Sequence, residues 1–166
     1  MSSLDLFKPI KLVVFDFDGV FTDNKVYVTD EGHEMVRCSR GDSFGIRLLE
    51  KLCIDSMVLS TEENPVVSKR CEKIRIKCVQ GVWHKGPALA EIMEKAGLTR
   101  EQVAYVGNDI NDIPCFELVG LPIAVADSHP ALDDLSLFRT SANGGDGAVR
   151  EVCDLINKAH GGDNKL

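Results

Sequence analysis

The stretch KLVVFDFDGVFTDN, residues 11–24, joins an apolar run to a pair of carboxylates. The run is continuous rather than alternating, which is typical of a central parallel strand buried on both faces. Asp16 and Asp18 follow it one residue apart, and Gly19 then permits a tight turn. The sequence therefore predicts a buried strand that delivers two carboxylates to its carboxyl end.

The rest of the chain alternates short apolar runs with segments of helical spacing. Four further runs predict strands: DSMVLST at 55–61, KCVQGV at 77–82, QVAYVGND at 102–109 and PIAVAD at 122–127. Helices are predicted at 43–53, 64–74, 85–97, 113–120 and 147–160. Strands that alternate with helices predict an α/β fold with a doubly wound, Rossmann-like and mostly parallel sheet. Such sheets bind ligands at the carboxyl ends of their strands.

Residues 25–39 predict a small β-hairpin flap beside this sheet. Two short segments with strand character surround the turn residues DEG. Val26, Val28 and Met35 give the hairpin more apolar character than a free surface ribbon needs. Because an isolated two-stranded ribbon is marginal in water, we expect the hairpin to pack against other copies of the chain.

Composition excludes several classes of function. The 166 residues suit one domain, predicted at 10–160 between a tail or domain-boundary linker at 1–9 and a flexible tail at 161–166. The net charge of −7 argues against a nucleic-acid surface, and no apolar run reaches the roughly 20 residues of a membrane span. The first residues lack the pattern of a secretion signal, so we expect a cytoplasmic protein. The six cysteines form no C-x-x-C pair, which favours reduced core thiols over disulfides or zinc.

Polar clusters follow three more of the predicted strands. Ser60 and Thr61 end the second strand, and Lys85 begins the helix after the third. The loop GNDIND at 107–112 follows the fourth. Each cluster alone also fits an ordinary structural role, as a helix cap or a solvated loop. Together on successive strand ends, however, acid pair, hydroxyl, ammonium and acidic loop describe a phosphoryl-transfer site. Two carboxylates held together favour a shared proton or a hard cation, for which Mg²⁺ is the natural candidate.

This order resembles the motifs of the haloacid dehalogenase superfamily of phosphotransferases. DFDGVFTD at 16–23 is similar to its first motif, Ser60 to the second, Lys85 to the third and GNDIND to the fourth. The resemblance extends to small, cap-less phosphatases of phosphorylated keto sugar acids, such as 3-deoxy-manno-octulosonate 8-phosphate and nonulosonate 9-phosphates. It covers roughly residues 10–160 and includes RGDSFGIRLLEK, VAYVGNDIND, AVADSHP and GGDGAVREVCDLI. LSTEENPVV and GNDINDIPCFELVG are also similar to a domain fused behind acylneuraminate cytidylyltransferases.

The resemblance implies a hydrolysis in two steps. Asp16 is expected to attack phosphorus and form an aspartyl-phosphate. Asp18, oriented by Thr22, is expected to protonate the leaving alkoxide and then to activate water, for which its pKa must be raised. Ser60 and Lys85 are expected to bind the phosphoryl oxygens.

The resemblance also implies a Mg²⁺ site, whose expected ligands are Asp16, the Asp18 carbonyl, Asn108 and Asp109. Here the sequence departs from the usual pattern, because many relatives carry Gly-Asp-Asp where this chain has Gly107, Asn108 and Asp109. An asparagine oxygen can ligate Mg²⁺, but the loss of a negative charge should weaken the site. Asp109 remains open as an alternative source of the carboxylate.

Substrate contacts beyond the phosphate follow from the same resemblance. Glu62, Arg70 and Lys73 occupy places where the nonulosonate 9-phosphate branch has matching residues, which favours nine-carbon acids. Arg150 is expected to bind the sugar carboxylate, although a solvent-facing helix arginine is equally compatible with the sequence. The other residues assigned to substrate binding are Thr22, Asp42 and Thr61.

Assembly as a homotetramer is implied as well, with a neighbour's carboxy-terminal segment closing each site. That segment includes Gly144, Gly145 and Arg150. An alternative is a weakly active or inactive oligomerisation domain of an acylneuraminate cytidylyltransferase, which Asn108 favours and the intact acid pair opposes. A phosphoacceptor receiver domain is disfavoured, because receivers place adjacent acids after the first strand and the phosphoacceptor after the third.

Overall fold

A six-stranded parallel sheet forms the centre of the computed structural model, which describes residues 3–163 and 165. None of the described helices is long and apolar enough to cross a membrane. Four 3-10 helices lie at Ser3–Phe7, Arg100–Gln102, Ile110–Asp112 and Pro130–Leu132. The strands and α-helices, in chain order, are β1 Leu12–Phe15, β2 Thr22–Val28, β3 Glu34–Cys38, α1 Asp42–Lys51, β4 Asp55–Leu59, α2 Val66–Ile74, β5 Lys77–Val79, α3 Lys85–Ala96, β6 Val103–Gly107, α4 Ile113–Phe116, β7 Leu121–Ala124, β8 Phe138–Arg139 and α5 Ala148–Ala159.

The central strand of the sheet is the one that the first apolar run predicts. The strand order is β5-β4-β1-β6-β7-β8, so that β1 lies between β4 and β6 and is buried throughout. Val13 and Phe15 pack into one layer with α1, α2 and α5. Leu12 and Val14 pack into the opposite layer with α3 and α4, as the alternation of strand side chains requires. The predicted doubly wound fold is therefore confirmed.

The predicted hairpin is also present, as a separate two-stranded sheet of β2 and β3. Gly32 forms its turn with a φ of 81°, which glycine adopts without strain. Four apolar side chains of the hairpin are uncovered in the single chain, whereas Val36 is partly buried against the core. Val26, Val28 and Met35 are 50%, 62% and 56% exposed, and Tyr27 is 67% exposed.

Three segments differ from what the sequence predicts. Strand β8 is absent from the prediction, because two residues are too few to show a periodicity. Helix α4 ends at Phe116 rather than at residue 120. Part of the predicted leading tail is the 3-10 helix Ser3–Phe7, in which Phe7 is fully buried and packs edge-on against Phe138. The residues of the two predicted tails that lie outside the described part of the chain are Met1, Ser2, Asn164 and Leu166.

The cysteines follow the prediction of core thiols only in part. All six are free thiols, and Cys71, Cys115 and Cys153 are buried. Burial raises the pKa of these three thiols, so that they stay protonated and unreactive at neutral pH. Cys53, by contrast, is exposed.

Candidate active site

Three predicted site residues stand directly after three neighbouring strands. Strand β1 pairs in parallel with β4 on one side and with β6 on the other. Asp16, Ser60 and Asn108 are the residues that immediately follow β1, β4 and β6, and all three are buried. The parallel sheet therefore brings them to one edge, at the carboxyl ends of its central strands.

Lys85 enters the same site from the first residue of α3. Its side chain is fully buried, and Nζ lies 2.8 Å from Asp16 Oδ1 and 2.8 Å from Asp112 Oδ1. Asp112 also accepts hydrogen bonds from the Tyr105 hydroxyl at 2.7 Å and from the Asn108 N–H at 2.9 Å. Lys85 is thus a buried cation held by two carboxylates, which excludes the alternative of a solvated surface lysine.

Asp112 is a site residue that the sequence analysis leaves unassigned. Asp109 and Asp112 form a reciprocal capping box, in which the Asp109 carboxylate accepts from the Ile110 N–H at 2.7 Å and Asp112 Oδ2 accepts from the Asp109 N–H at 3.3 Å. Asp112 also lies one helical turn after Asn108, with no solvent exposure, and meets the buried Lys85. The spacing in the sequence does not by itself separate these two roles. The role of Asp109 as a metal ligand stays a prediction, because the structure gives its carboxylate this other partner.

The nucleophile candidate, Asp16, carries an unusual charge balance. Burial raises its pKa to about 7, and the charge of Asp112 acts in the same direction. Lys85 and the Phe17 N–H, which donates to Asp16 Oδ1 at 2.7 Å, oppose this rise. The buried network has two carboxylates and one ammonium, so its excess charge is negative. An added cation at Asp16 Oδ2, the oxygen that does not contact Lys85, would stabilise the ionised form.

The turn after Asp16 holds Asp18 in place. The Thr22 hydroxyl oxygen accepts hydrogen bonds from the N–H groups of Gly19 and Asn24, both at 3.1 Å. Burial raises the pKa of Asp18, the charge of Glu62 raises it further, and Lys85 and Thr22 oppose the rise. The raised pKa that an acid at this position needs is therefore confirmed in direction.

A cavity of about 230 Å³ opens beside Asp18 and is acidic and apolar in character. Glu62 is part of its wall, as the sequence predicts for a residue that contacts substrate. The Glu62 carboxylate also accepts from the N–H groups of Glu63 and Asn64, which fixes it at the start of α2. The lining consists of Asp18, Asn24, Val26, Glu34, Val36, Glu62 and Val66.

Ser60 does not cap a helix, because α2 begins at Val66 and its N-cap residue is Pro65. Its Oγ accepts from the Glu62 N–H at 3.1 Å, which is a local turn contact. The hydroxyl hydrogen remains available to donate to an anion at the strand end. Thr61 is half-buried and follows on the solvent side of this turn.

Asn108 lies where a cation would be expected. In the orientation that satisfies its amide, Nδ2 donates to the Asp18 carbonyl at 2.9 Å and to Asp16 Oδ2 at 3.3 Å. A Cβ on Gly19 would stand only 2.0 Å from the other terminal atom of this amide, which is its oxygen in this orientation, so only glycine permits the approach. The amide nitrogen thus faces the same two oxygens that the resemblance assigns to Mg²⁺. The described residues contain no group of three His, Cys, Asp or Glu side chains arranged to hold a metal.

The oxygen set nevertheless fits Mg²⁺. A carboxylate oxygen of Asp16, a backbone carbonyl and an amide side chain are all hard oxygen donors, provided that Asn108 turns its oxygen inward. Burial raises the pKa of Asp16, the charge of Asp112 adds to the rise, and a cation beside this carboxylate would oppose it. Asp16, Asp18 and Asn108 are therefore the residues that would hold the ion.

Other predicted substrate residues are not brought to this site within one chain. Arg70 and Lys73 line a different cavity, between α1 and α2. Arg150 pairs with Asp154 on its own helix at 2.8 Å and lines a third cavity along α5. The predicted roles of these residues in substrate binding therefore stay predictions, because within a single chain they line other cavities.

Asp42 is buried but lacks partners. It is the first residue of α1 and only 1% exposed, yet neither carboxylate oxygen accepts a hydrogen bond of normal geometry. Burial raises its pKa to about 7, against the opposing charges of Arg70 and Arg150. Asp42 is thus an internal group between two arginines in this chain, and its predicted contact with substrate stays a prediction.

The burial of Asp42 predicts that the stability of the fold depends on pH. The pKa of Asp42 is higher in the folded chain than the ordinary value of 3.8, so its ionised form costs stability, and the free energy of unfolding should fall as pH rises from about 4 through about 7. Asp42→Asn removes this cost. We expect the free energy of unfolding of the variant, relative to wild type, to increase by about 1–3 kcal/mol as the pH rises from 4 to 8. Urea unfolding at several pH values measures this difference. A constant difference between the two proteins across that range would contradict the assignment.

Gly144 and Gly145 pack against the turn that carries Asp18. A Cβ on Gly144 would stand 1.8 Å from the Gly19 carbonyl oxygen, and one on Gly145 would stand 2.4 Å from the Asp23 nitrogen. The Gly145 N–H donates to the Val20 carbonyl at 3.0 Å. These glycines therefore support the turn of their own chain, and their expected role in closing a neighbour's site stays a prediction.

Comparisons with known proteins agree with this geometry. The family model for haloacid dehalogenase-like hydrolases matches residues 58–152. The 3-deoxy-D-manno-octulosonate 8-phosphate phosphatase KdsC of Escherichia coli K12 is 39% identical over 153 residues, which cover 92% of this chain and 81% of the relative.

Solved structures give the same result. The structure of 3-deoxy-D-manno-octulosonate 8-phosphate phosphatase from Yersinia pestis is 36% identical, with a TM-score of 0.91, and the match covers 95% of this chain and 86% of that one. The Moraxella catarrhalis enzyme of the same name, solved in complex with a magnesium ion, a phosphate ion and KDO, is 30% identical with a TM-score of 0.91. That match covers 95% of this chain and 91% of the other. The chain therefore belongs to the haloacid dehalogenase-like hydrolase family and is an enzyme of the phosphatase type.

Proposed function

We propose that this chain hydrolyses the phosphate ester of a keto sugar acid, of the 3-deoxy-manno-octulosonate 8-phosphate or nonulosonate 9-phosphate type, with Mg²⁺ as cofactor. The observation that carries the proposal is the buried Lys85, held 2.8 Å from both Asp16 and Asp112 at the carboxyl edge of the sheet. A cation buried in this way stabilises negative charge that develops on a phosphoryl group. The substrate class is supported by the relatives named above.

The first step is an in-line attack of the Asp16 carboxylate on phosphorus. One bond forms between carboxylate oxygen and phosphorus while the bond to the sugar oxygen breaks, which gives an aspartyl-phosphate. Asp18, whose pKa is raised by burial and by Glu62, donates its proton to the leaving sugar oxygen. Lys85 and the Ser60 hydroxyl stabilise the phosphoryl oxygens during this transfer.

The second step returns the enzyme to its starting state. Asp18, now ionised, accepts a proton from a water molecule that attacks the phosphorus of the aspartyl-phosphate. Inorganic phosphate leaves, and Asp16 is regenerated as a carboxylate. When bound, Mg²⁺ would neutralise charge on the phosphoryl oxygens and on Asp16. The Thr22 hydroxyl keeps the turn closed, so that Asp18 remains near the reacting oxygen.

A substrate panel tests the proposal. Phosphate release should be measured with keto sugar acid phosphates of eight and nine carbons and with a generic aryl phosphate, each with Mg²⁺ and with a chelator. We expect kcat/KM for one sugar acid phosphate to exceed that for the aryl phosphate by at least about a hundredfold, and release to stop with chelator. Equal rates for all esters would overturn the substrate class, and full activity with chelator would overturn the cofactor.

Asn108→Asp should strengthen the Mg²⁺ site. The substitution replaces an amide that faces the Asp18 carbonyl by a charged oxygen, which hard cations prefer. We expect the dissociation constant for Mg²⁺, measured by calorimetry without substrate, to fall about tenfold or more. Asp109→Asn is the matched control, because that carboxylate caps the next turn, and its effect should be smaller. If Asp109→Asn weakens Mg²⁺ binding by more than Asn108→Asp strengthens it, Asp109 is the ligand instead.

Asn108 is also the observation that favours the alternative function, a weakly active oligomerisation domain associated with or fused to an acylneuraminate cytidylyltransferase. An amide at this place contributes less to cation binding than a carboxylate. The panel separates the two proposals, because such a domain would show little turnover on any ester even at saturating Mg²⁺.

We further infer that the hairpin mediates a homotetramer. The support is its uncovered apolar surface, in which Tyr27 and Val28 are more than 60% exposed. Arg150 is then available to a neighbour's substrate only if its pairing with Asp154 is exchanged. Light scattering of wild type and of Tyr27→Ser/Val28→Ser tests this assembly. A wild-type monomer at micromolar concentration with full activity would refute it.

A further inference from the structure

A second cavity has the opposite charge to the active-site mouth. It encloses about 330 Å³ between α1 and α2, and no carboxylate is among its lining residues. We call it the α1–α2 groove. Five of its eight lining residues are cationic, in a chain whose net charge is −7. They are Arg40, Arg47, Arg70, Lys73 and Arg75.

None of these five cations takes part in an ion pair within the described part of the chain, although the charge of Arg70 acts on the buried Asp42. Arg70 makes one side-chain hydrogen bond, to the Ser39 carbonyl at 2.8 Å. Two neighbouring acids pair with lysines outside the groove: Glu72 lies 3.5 Å from Lys69, and Asp55 lies 3.7 Å from Lys77. Glu50 lines an adjacent cavity that Arg75 also borders. Like charges gathered without ion-pair partners repel one another, so an anion in the groove would be stabilised.

The backbone of Arg75, one of these cations, has a strained conformation. It ends α2 with φ 62° and ψ 40°, the left-handed conformation in which glycine is the usual residue. A side chain there costs about 1 kcal/mol relative to glycine. Side-chain packing does not offset this strain, because Arg75 is exposed. What the side chain does provide is a guanidinium at the end of the α1–α2 groove.

The groove is separate from the phosphoryl site. None of its lining residues belongs to the cavity beside Asp18, whose charged residues are all acids. Arg70 and Lys73 are the two members that the family resemblance assigns to substrate. Arg40, Arg47 and Arg75 have no such assignment, and they make up the majority of the charge.

We propose that the α1–α2 groove binds a small polyphosphate anion. One phosphate carries a charge of about −1.5 to −2, so two or more phosphate groups are needed to balance five cations. Guanidinium groups, four of the five here, bind phosphate oxygens through paired hydrogen bonds. The volume is that of a small-ligand site. Phe44, 45% exposed on the groove wall, offers a ring face on which the base of a nucleoside polyphosphate can stack.

Calorimetry with pyrophosphate and with ADP, in chelator to keep divalent ions out of the phosphoryl site, tests the proposal. The groove variant is Arg47→Gln/Arg75→Asn, since asparagine tolerates the left-handed conformation of residue 75. The control variant is Lys69→Gln/Lys77→Gln, which removes the same charge from exposed lysines outside the groove. We expect the groove variant to weaken pyrophosphate binding at least tenfold and the control variant to weaken it less than twofold.

Three results would overturn the proposal. The first is a wild-type protein that binds neither probe, and the second is an equal loss in the groove and control variants, which would indicate only net charge. The third is a raised KM of the groove variant for the sugar acid phosphate, which would assign the groove to the substrate of a neighbouring subunit. Phe44→Ala tests the stacking part: it should weaken ADP binding and leave pyrophosphate unchanged, and an unchanged ADP affinity would remove the base from the proposal.

Discussion

Asp16→Asn is expected to lower phosphatase turnover by at least about a thousandfold, because an amide cannot serve as the nucleophile that forms the acyl phosphate. The fold should persist, because asparagine has the same shape as aspartate. Its side-chain oxygen can keep part of the contacts that Asp16 Oδ1 makes with Lys85 and the Phe17 N–H. Steady-state phosphate release gives the rate, and circular dichroism reports the fold.

Asp55→Asn is the matched control for that experiment. Asp55 is exposed and begins β4, at the end of the strands opposite to the site. Removal of its charge should therefore leave turnover unchanged. Near wild-type release by Asp16→Asn in a folded protein would remove Asp16 from the role of nucleophile. Trapping of the covalent phosphate by acid quench in wild type, and its absence in the variant, supports the assignment independently of the rate.

Lys85→Met should lower both stability and activity. Methionine fills the volume of the lysine stem but leaves Asp16 and Asp112 buried without their shared cation. Breaking a buried ion pair on one side costs about 3–5 kcal/mol, and we expect a loss of that size in urea unfolding at pH 8. Turnover of the folded fraction should fall at least about a hundredfold, because the charge on the phosphoryl oxygens is no longer stabilised.

Lys95→Met is the control on the same helix. Lys95 is exposed and pairs only with Glu91, so its unfolding midpoint should match that of wild type. At pH 5, protonation of the carboxylates around residue 85 should recover part of the stability of Lys85→Met, since the raised pKa of Asp16 is near 7. A Lys85→Met protein as stable as the control at pH 8 would contradict the buried ion-pair description.

The parts of the site that the sequence predicts are those set by a single strand end. Asp16, Ser60 and Asn108 each follow an apolar run, and a parallel sheet brings the carboxyl ends of its strands to one edge. The local pattern was therefore sufficient to predict that they lie together. Asp112 was missed because its partner, Lys85, is brought to it by the packing of α3 beside the GNDIND loop. No local pattern distinguishes a capping acid from one that faces a buried ammonium.

Residues on helices were predicted less well than residues at strand ends. Arg70 and Lys73 belong to α2, whose orientation about its axis decides whether they face the phosphoryl site or the α1–α2 groove. Arg150 pairs with Asp154 one turn away, a contact that the sequence allows but does not require. The hairpin was predicted from its turn, whereas the packing of its exposed apolar residues against other copies of the chain stays a prediction.

The contact between Gly144 and the Gly19 carbonyl has a consequence for the order of folding. The turn that carries Asp18 follows β1, but the glycines that support it directly precede α5. Contacts between distant parts of a chain form late, because the intervening segment must first be ordered. During synthesis, the catalytic turn would therefore reach its final shape only after α5 has left the ribosome and docked. A nascent chain that already contains every catalytic residue would still be inactive.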